Sequence, residues 1–304
     1  MKSICFIIPF FGKMPDYFDV WLETCKTNNS INWLMFTDDK RDFNLPSNVS
    51  IKRISFDEIK NKIQAIFDFE IALEKPYKLV DYKVAYGEIF SEELKEYDFW
   101  GFCDIDLIWG DVRKFYTEDL LNEYYKIGNQ GHCTIFKNCP NVNMVYRRNL
   151  SEGPNFKDVY TSNNIFASDR EFIENRFLDA NYPIFNKTIY AGLHIAEPGF
   201  YLQEMPKNEG IYNKYQVFSW KSGKLFRHYV YNNELFSKEF LYIHFFKRPM
   251  KNEITSYEDP ILIYPDSYKN FDGKIDVKLV KKYGHRSIFY FYWRVLKQNW
   301  NKIT

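Results

Sequence analysis

Short apolar runs alternate with amphipathic segments through the first 110 residues, and this alternation constrains the fold more than any other feature of the sequence. The runs at residues 3–10, 32–37, 49–54 and 99–103 have the length and the residue types of β-strands. The intervening segments place apolar side chains at helical spacing. A chain that repeats strand and helix in this way is predicted to form an α/β fold with a mostly parallel central sheet flanked by helices.

Helix starts are predicted from residues that favour a first turn. Ser55 and Glu58 form a capping box before one helix. Asp16 is expected to cap an earlier helix, and Pro76 is expected to begin a helix that runs to about Phe90. Farther along, residues 117–127 have helical character, whereas residues 131–137 and 240–246 have the character of strands.

Polar or turn-forming residues follow three of the predicted strands at the point where each strand ends. They are the turn at residues 9–12, the pair Asp38 and Asp39, and the pair Asp104 and Asp106. Ligands of open parallel sheets bind beyond the carboxyl ends of the strands. The three segments are therefore predicted to line one binding site.

Asp104 and Asp106 indicate a metal site. Two carboxylates one residue apart on an extended chain point the same way, roughly 6 to 7 Å apart at the backbone. Such carboxylates repel each other unless a cation or hydrogen-bond donors lie between them, and their hard oxygen atoms suit Mg²⁺ or Mn²⁺. A cation there would neutralise a departing nucleoside diphosphate. The alternative is a loop with two solvated acids.

The stretch from Lys78 to Asp106 resembles the GT-A glycosyltransferases, in particular family 8 and related bacterial capsule and lipopolysaccharide sugar transferases. In these enzymes a helix that carries Lys and Tyr precedes an apolar strand ending in Asp-x-Asp. The resemblance implies a GT-A-like, Rossmann-like sheet with an irregular second half that binds the acceptor. It also implies that Asp104 contacts the ribose of the donor and that Asp106 binds the metal.

A later segment, His244 to Pro249, resembles the HxxGxxKPW motif of family 8. The segment keeps the His, a Lys and the Pro, whereas the Gly and the Trp are missing and the Lys comes earlier. By this resemblance His244 is the third metal ligand and Lys247 binds phosphate. The alternative for His244 is a core histidine beside a strand.

Further donor contacts are inferred at strand ends and on the helix before the Asp pair. Backbone can approach a nucleotide closely at the first turn, which consists of Pro9, Phe10, Phe11 and Gly12. Asp38 and Asp39 resemble acids that bind uracil or ribose, and Lys83 is placed to reach the diphosphate. The alternatives are an ordinary turn, capping acids and an exposed helix lysine.

The acceptor side is expected in the second half of the chain. Asp169 and Glu171 are candidates for a catalytic base or an acceptor ligand, because an inverting transferase needs a carboxylate beside the acceptor hydroxyl. Asp169 would otherwise cap the helix that follows it. His194 is a further candidate, and Tyr201 and Trp220 offer stacking faces that the sequence does not distinguish from core aromatics.

We predict one GT-A domain with two halves and a tail. Residues 1–110 form the nucleotide-sugar half, and residues 111–275 form the acceptor half with a metal and phosphate segment at 240–249. Residues 276–304 form a basic, aromatic tail. Such a tail either contacts an anionic membrane surface or packs as a terminal helix.

Composition narrows the class of protein. The net charge of +1 argues against a surface that attracts nucleic acid throughout. The five cysteines are odd in number and lack CxxC spacing, which is typical of a reducing cytosol rather than a disulfide framework. The N-terminal apolar run is short, contains Pro9 and lacks a cleavage site. A cytoplasmic location, with peripheral contact to the membrane, is therefore predicted.

The resemblance to the GT-A glycosyltransferases implies transfer of a hexose from a UDP-linked sugar to an oligosaccharide or lipid-linked saccharide of a bacterial surface polysaccharide. Mn²⁺ or Mg²⁺ would assist the departure of the diphosphate. One alternative is a haloacid-dehalogenase-type phosphatase with Asp104 as nucleophile, although Ile108 stands where a hydroxyl residue is usual. The other is a non-catalytic protein that binds a nucleotide sugar.

Overall fold

The computed structural model describes residues 1–193, 200, 202 and 215–284. These residues group into two compact units. The first unit comprises Met1–Asp16, Asn29–Ile105 and Tyr116–Lys187. The second comprises Tyr17–Asn28, Asp106–Phe115 and the described residues from Thr188 onward.

The strands are numbered in chain order over the described residues. They are β1 (Ile4–Pro9), β2 (Ile31–Thr37), β3 (Val49–Arg53), β4 (Phe99–Cys103), β5 (Leu107–Trp109), β6 (Lys126–Gln130), β7 (Cys133–Lys137), β8 (Ile184–Phe185), β9 (Ala191–Gly192), β10 (Gln216–Lys221), β11 (Lys224–Tyr231), β12 (Glu234–Glu239), β13 (Tyr242–His244), β14 (Lys251–Glu253), β15 (Ile261–Ile263) and β16 (Ser267–Asn270).

The α-helices of the described residues are numbered in the same way, and 3₁₀ helices lie at Pro76–Ala85 and Val145–Arg147. The α-helices are α1 (Phe18–Lys26), α2 (Phe56–Gln64), α3 (Tyr86–Ile89), α4 (Ser91–Leu94), α5 (Val112–Phe115), α6 (Glu118–Glu123), α7 (Pro140–Asn143), α8 (Phe156–Thr161), α9 (Glu171–Asp179) and α10 (Val277–Tyr283).

The first unit is built on a seven-stranded sheet in the order β3-β2-β1-β4-β7-β6-β8. Neighbouring strands run parallel from β3 through to β4 and again between β6 and β8. Strand β7 runs antiparallel to both of its neighbours. The structure thus confirms the predicted α/β class, with a mostly parallel central sheet and helices on its faces.

Strand β4 lies at the centre of this sheet, and all five of its residues are buried. Its apolar sequence follows from this position, because both faces of a central strand are covered. A Cβ on Gly101 would lie 2.5 Å from the carbonyl oxygen of Thr134, so glycine allows β7 to approach. A Cβ on Gly87 would lie 2.5 Å from the Trp100 indole, which packs against α3.

The capping box predicted before α2 is confirmed. The Ser55 side chain accepts a hydrogen bond from the Glu58 backbone N–H, and the Glu58 carboxylate accepts one from the Ser55 N–H. The prediction that Asp16 caps α1 is wrong. Tyr17, with φ −87° and ψ 2°, stands at the N-cap position, so Asp16 lies one residue too early.

Two predicted helices differ from expectation in winding or length. The segment that begins at Pro76 is a 3₁₀ helix to Ala85, continued by the single turn of α3. The helix predicted over 117–127 ends at Glu123, because β6 begins soon afterwards and pairs Ile127 with Ile135 of β7. Sheet pairing therefore overrides the local helical pattern at this point.

The described residues of the second unit form two sheets. Strands β5, β13 and β9 form one, in the order β5-β13-β9, and the other has the order β12-β11-β10-β15-β16-β14. The strand predicted at 240–246 is present over its middle three residues as β13. Trp109 and Trp220 are buried in this unit, where the Trp220 indole N–H donates to the Trp109 carbonyl oxygen at 2.8 Å. Among the described residues, no helix combines the length and the hydropathy needed to cross a bilayer.

Candidate metal site

Asp104 lies directly after β4, where the sheet holds its backbone. Its N–H donates to the His132 carbonyl oxygen at 2.9 Å, which extends the β4–β7 ladder by one residue. The carboxylate stands at the carboxyl end of the strand and is 38% exposed. The pattern of an apolar strand followed by an acid therefore places a solvent-accessible carboxylate at the edge of the sheet, as the sequence predicts.

Lys83 brings a positive charge to Asp104 from the 3₁₀ helix of the first unit. Its Nζ donates to Asp104 Oδ1 at 3.0 Å and to the Gly131 carbonyl oxygen at 2.6 Å, and lies 3.4 Å from Asp169 Oδ2. Burial lowers the pKa of Lys83, but the charges of Asp104 and Asp169 outweigh burial and raise that pKa above its ordinary value. The ammonium group is therefore charged at neutral pH and bridges two carboxylates.

Asp169 is far more buried than the sequence suggests, with only 3% of its side chain exposed. Burial raises the pKa of this carboxyl, and the neighbouring Lys83 opposes the rise. Arg170 occupies the N-cap position of α9, so the alternative role of Asp169 as a helix cap is not realised. A Cβ on Gly131 would lie 2.4 Å from Asp169 Oδ2, and glycine there leaves room for the carboxylate.

A buried ion pair fixes the loop that carries Asp169. Lys78 and Asp81 lie three residues apart on the 3₁₀ helix, on one face, and their Nζ and Oδ2 atoms are 2.8 Å apart. The Asp81 carboxylate also accepts from the backbone N–H groups of Phe166 and Ser168 and from the Ser168 hydroxyl. The helix that presents Lys83 thus also holds the loop leading to Asp169.

Asp106 and His244 meet in the second unit through the pairing of β5 with β13. His244 Nε2 lies 3.1 Å from Asp106 Oδ1, and the two side chains are 4% and 7% exposed, respectively. Burial alone would raise the pKa of Asp106, but the charge and hydrogen bond of His244 outweigh burial and lower it. His244 is a buried histidine at the end of β13, and its Nε2 faces the Asp106 carboxylate.

The turn after β13 completes the environment of Asp106. Phe246 and Lys247 both have left-handed backbone, with φ of 51° and 54°. This conformation is costly for non-glycine residues and persists where the surroundings enforce it. It directs the Lys247 backbone N–H to Asp106 Oδ2 at 2.6 Å, while the Lys247 side chain is exposed. The segment thus makes its turn without the glycine of the HxxGxxKPW motif.

Asp104, Asp106 and His244 each offer one ligand atom, and these three atoms lie within 4.8 Å of one another. The chain itself joins the two acids, since only Ile105 separates them. Two carboxylates and an imidazole suit Mg²⁺ or Mn²⁺, so the residues present fit a divalent cation.

The first turn and the acids after β2 are brought together within the first unit. Gly12, with φ of 100°, donates its backbone N–H to Asp38 Oδ1 at 2.7 Å. Asp39 instead forms an ion pair with Arg41 at 2.5 Å and accepts from the Met14 N–H. The hydrogen bond from Arg41 lowers the pKa of Asp39, so this carboxylate is already engaged in structure.

The remaining sequence-based candidates fall in three places. Glu171 is exposed in the first turn of α9. Phe11 packs edge-on against Phe56, with ring centroids 5.4 Å apart, and Trp220 belongs to the buried core. His194, Tyr201 and the end of the tail, residues 285–304, lie outside the described residues.

Sequence reasoning did not identify three contributors to this region: Gly131, the Lys78–Asp81 pair and the carbonyl oxygen of His132. The spacing of Lys78 and Asp81 was a usable signal, since a charged pair three residues apart in an apolar segment indicates a paired helix face. Gly131 precedes β7 and carries no signal of its own, because its role depends on the loop that approaches from elsewhere in the chain.

Comparisons with known proteins give a family and several solved structures. Residues 6–272 match a family described as "Family of unknown function (DUF6625)". No curated protein sequence matches the chain. The chain is similar to the apo structure of mouse xyloside xylosyltransferase 1, with 8% identity, a TM-score of 0.38, and 64% of this chain and 88% of that chain covered.

Two structures of the galactosyltransferase LgtC are also similar. One is a complex with donor and acceptor sugar analogues, at 10% identity and a TM-score of 0.31, covering 63% of this chain and 75% of that chain. The other is an active-site mutant, with the same identity and TM-score and with 63% and 74% covered.

Proposed function

The chain belongs to this family of unknown function, DUF6625, and we propose that it is a metal-dependent glycosyltransferase of the GT-A type. Its reaction would move a hexose from a UDP-linked sugar to a saccharide acceptor. The observation that carries the proposal is the cluster of Asp104, Asp106 and His244 beyond a buried central strand. Ligands of open α/β sheets bind at such strand ends.

The side chains of the cluster have separate tasks in this proposal. Asp106 and His244 would bind the cation, while Asp104 would contact both the cation and the ribose of the donor. A bound divalent cation would neutralise charge on the leaving diphosphate. Lys83, held in its charged form between two carboxylates, would add a second positive charge beside the same group. The exposed Lys247 side chain would contact phosphate.

The nucleotide would lie against the end of β1. The turn formed by Pro9, Phe10, Phe11 and Gly12 carries the hydrogen bond from Gly12 to Asp38, which supports a base or ribose contact at Asp38. Asp39 would contribute to nucleotide binding indirectly. Its carboxylate already forms an ion pair with Arg41 and accepts a hydrogen bond from the Met14 N–H. Asp38 is therefore preferred as the nucleotide contact, because Asp38 is exposed and Asp39 is buried.

The acceptor would be activated or held by a carboxylate of the loop and helix at 168–171. Glu171 is exposed and accessible to an acceptor hydroxyl, whereas Asp169 is buried beside Lys83. A general base must reach the proton that it removes, so accessibility favours Glu171 for that task and leaves Asp169 as a charged neighbour of the donor.

Residues 1–110 would supply the donor half, residues 111–275 the acceptor half with its segment at 240–249, and residues 276–304 a tail that contacts membrane. Three exposed lysines of α10 give this helix a positive charge at its surface: Lys278, Lys281 and Lys282. Anionic lipids attract such a face. An acceptor linked to lipid in the cytoplasm, within synthesis of bacterial surface polysaccharide, is consistent with that placement.

A thermal-shift screen of nucleotide sugars, each with and without MnCl₂, tests the proposal. A ligand that binds the folded state raises its melting temperature by mass action. We expect a UDP-sugar to stabilise the protein only when Mn²⁺ is present, and we expect Asp104→Ala and Asp106→Ala to abolish both that shift and turnover. Asp16→Ala, at an exposed acid, is the matched control and should retain both.

Three outcomes would redirect the assignment. Unchanged turnover in Asp104→Ala and Asp106→Ala would sink the metal mechanism. Hydrolysis of p-nitrophenyl phosphate without action on nucleotide sugars would favour the phosphatase alternative. Tight UDP binding with neither transfer nor donor hydrolysis would favour a binding protein.

A further inference from the structure

The ammonium group of Lys83 contacts a carboxylate that is also a proposed metal ligand. Among the described residues, the Lys83 Nζ lies near three acceptors, which are Asp104 Oδ1 at 3.0 Å, the Gly131 carbonyl oxygen at 2.6 Å and Asp169 Oδ2 at 3.4 Å. One of these acceptors, Asp104, is also a ligand of the proposed metal site. The ammonium group and a divalent cation therefore draw on the same carboxylate.

We propose that Lys83 acts as an internal counter-ion that competes with the metal for Asp104, and that Asp169 receives the ammonium group when the metal binds. This inference deepens the proposed function and rests on its metal site. It assigns Lys83 and Asp169 as positioning residues that set metal affinity.

Electrostatic repulsion favours such a handover. Like charges a few ångströms apart repel by an amount that is far from negligible even in a medium of high dielectric constant. When a divalent cation takes Asp104, the ammonium group of Lys83 must shift away or weaken metal binding. Gly131 and Asp169 offer acceptors that are not part of the metal cluster, so Lys83 can leave Asp104 and remain hydrogen-bonded.

Asp169 is built to receive this charge. Its side chain is 3% exposed, and it fills the space that a side chain on residue 131 would take. The preceding residue, Ser168, donates its backbone N–H to the buried Asp81 carboxylate at 3.1 Å, which restrains the loop. A carboxylate that is buried and cannot swing into solvent stabilises a neighbouring ammonium group more than an exposed one does. Asp169 thus lowers the cost of displacing Lys83.

Direct titration of the full chain with MnCl₂, followed by the electron paramagnetic resonance signal of free Mn²⁺, tests this inference without any sugar donor. Removing the competing charge in Lys83→Met should tighten Mn²⁺ binding on the order of tenfold. Removing its receiving carboxylate in Asp169→Asn should weaken Mn²⁺ binding by about threefold to tenfold. Lys62→Met is the matched control, because it breaks an ion pair between a lysine and Glu93 elsewhere in the first unit. This variant should leave the Mn²⁺ affinity unchanged.

The double variant Lys83→Met/Asp169→Asn separates the inference from a direct effect of Asp169. If Asp169 acts through Lys83, the double variant binds Mn²⁺ as Lys83→Met does, within about twofold. The double variant also avoids an unpaired buried carboxylate, so it remains informative if Lys83→Met alone fails to fold. The double variant should then bind Mn²⁺ more tightly than Asp169→Asn does. If the two variants lose the same amount of Mn²⁺ affinity relative to the wild type, the inference is overturned.

The proposed function and this inference fail in different ways. If the wild type binds no Mn²⁺, the metal site itself is absent and both are wrong. If the wild type binds Mn²⁺ and Asp106→Asn does not, while Lys83→Met and Asp169→Asn match the wild type, the metal site stands and the inference alone is overturned.

Discussion

His244 Nε2 lies 3.1 Å from Asp106 Oδ1, and both side chains are almost fully excluded from water. Asp106 directly precedes β5, and His244 ends β13, which pairs with β5 in antiparallel register, with His244 opposite Leu107. The sheet therefore holds the acid and the imidazole together, and the Lys247 backbone N–H fixes the second carboxylate oxygen. A preformed pair of this kind loses little conformational freedom when it binds a cation.

Replacing this imidazole should weaken metal binding. We expect His244→Gln to lower the affinity for Mn²⁺ by at least about tenfold, because the cluster loses one ligand and Asp106 loses its buried partner. Calorimetric titration with MnCl₂ measures the change. His228→Gln, at a histidine of β11 in the same unit, is the control and should bind as the wild type does; similar affinity in both variants would contradict the assignment of His244.

The close approach of Asp169 to Gly131 should make residue 131 intolerant of a side chain. A Cβ would meet Asp169 Oδ2 at 2.4 Å, so Gly131→Ala forces the loop or the carboxylate to move. We expect a loss of about 1–3 kcal/mol in the free energy of unfolding. Urea denaturation measures it, with Gly192→Ala as control because a Cβ there meets its nearest neighbour at 3.6 Å. Equal stability of the two variants would show that the Asp169 carboxylate or its loop moves away from residue 131 without a measurable loss of stability.

The buried pair of Lys78 and Asp81 should matter more to stability than an exposed pair does. Asp81→Asn leaves a lysine that is 4% exposed without its counter-charge, and removal of one partner of a buried pair costs about 3–5 kcal/mol. Glu74→Gln, which breaks an exposed pair with Lys60, should cost less than about 1 kcal/mol. Chemical denaturation of both variants at pH 7 gives the comparison. A loss below that of Glu74→Gln would argue against the pair as the restraint on the Asp169 loop.

Acid should destabilise the protein in part through His228. Burial lowers the pKa of His228 to about 4, from an ordinary value near 6.5, and its ring nitrogens lie 2.7 and 2.8 Å from the hydroxyls of Ser219 and Ser237. The folded state therefore disfavours the proton that the unfolded state accepts. This contribution is complete above about pH 6.5 and is lost as the pH falls towards 4.

Denaturation curves recorded across that pH range, for the wild type and for His228→Gln, isolate this contribution. The variant lacks the titrating ring, so its free energy of unfolding should fall less steeply between about pH 6.5 and pH 4. Parallel pH profiles for the two proteins would show that His228 does not contribute.

The alternation of strands and helices in the first 110 residues was enough to predict an α/β unit with a mostly parallel sheet. The strand that ends before Asp104 and the capping box of Ser55 were also predictable, because both depend on residues close together in the chain. Local periodicity failed where pairing decided the outcome, as at Lys126, where the pattern of a helix gives way to β6.

The sequence by itself determined which segments are apolar, where strands end and which acids follow them, since these properties depend on neighbouring residues. Only the tertiary structure decided that His244 faces Asp106, that Lys83 bridges Asp104 and Asp169, and that Gly131 must lack a side chain. Each of these relationships joins residues far apart in the chain, and their distances are set by sheet pairing and loop packing that no local pattern encodes.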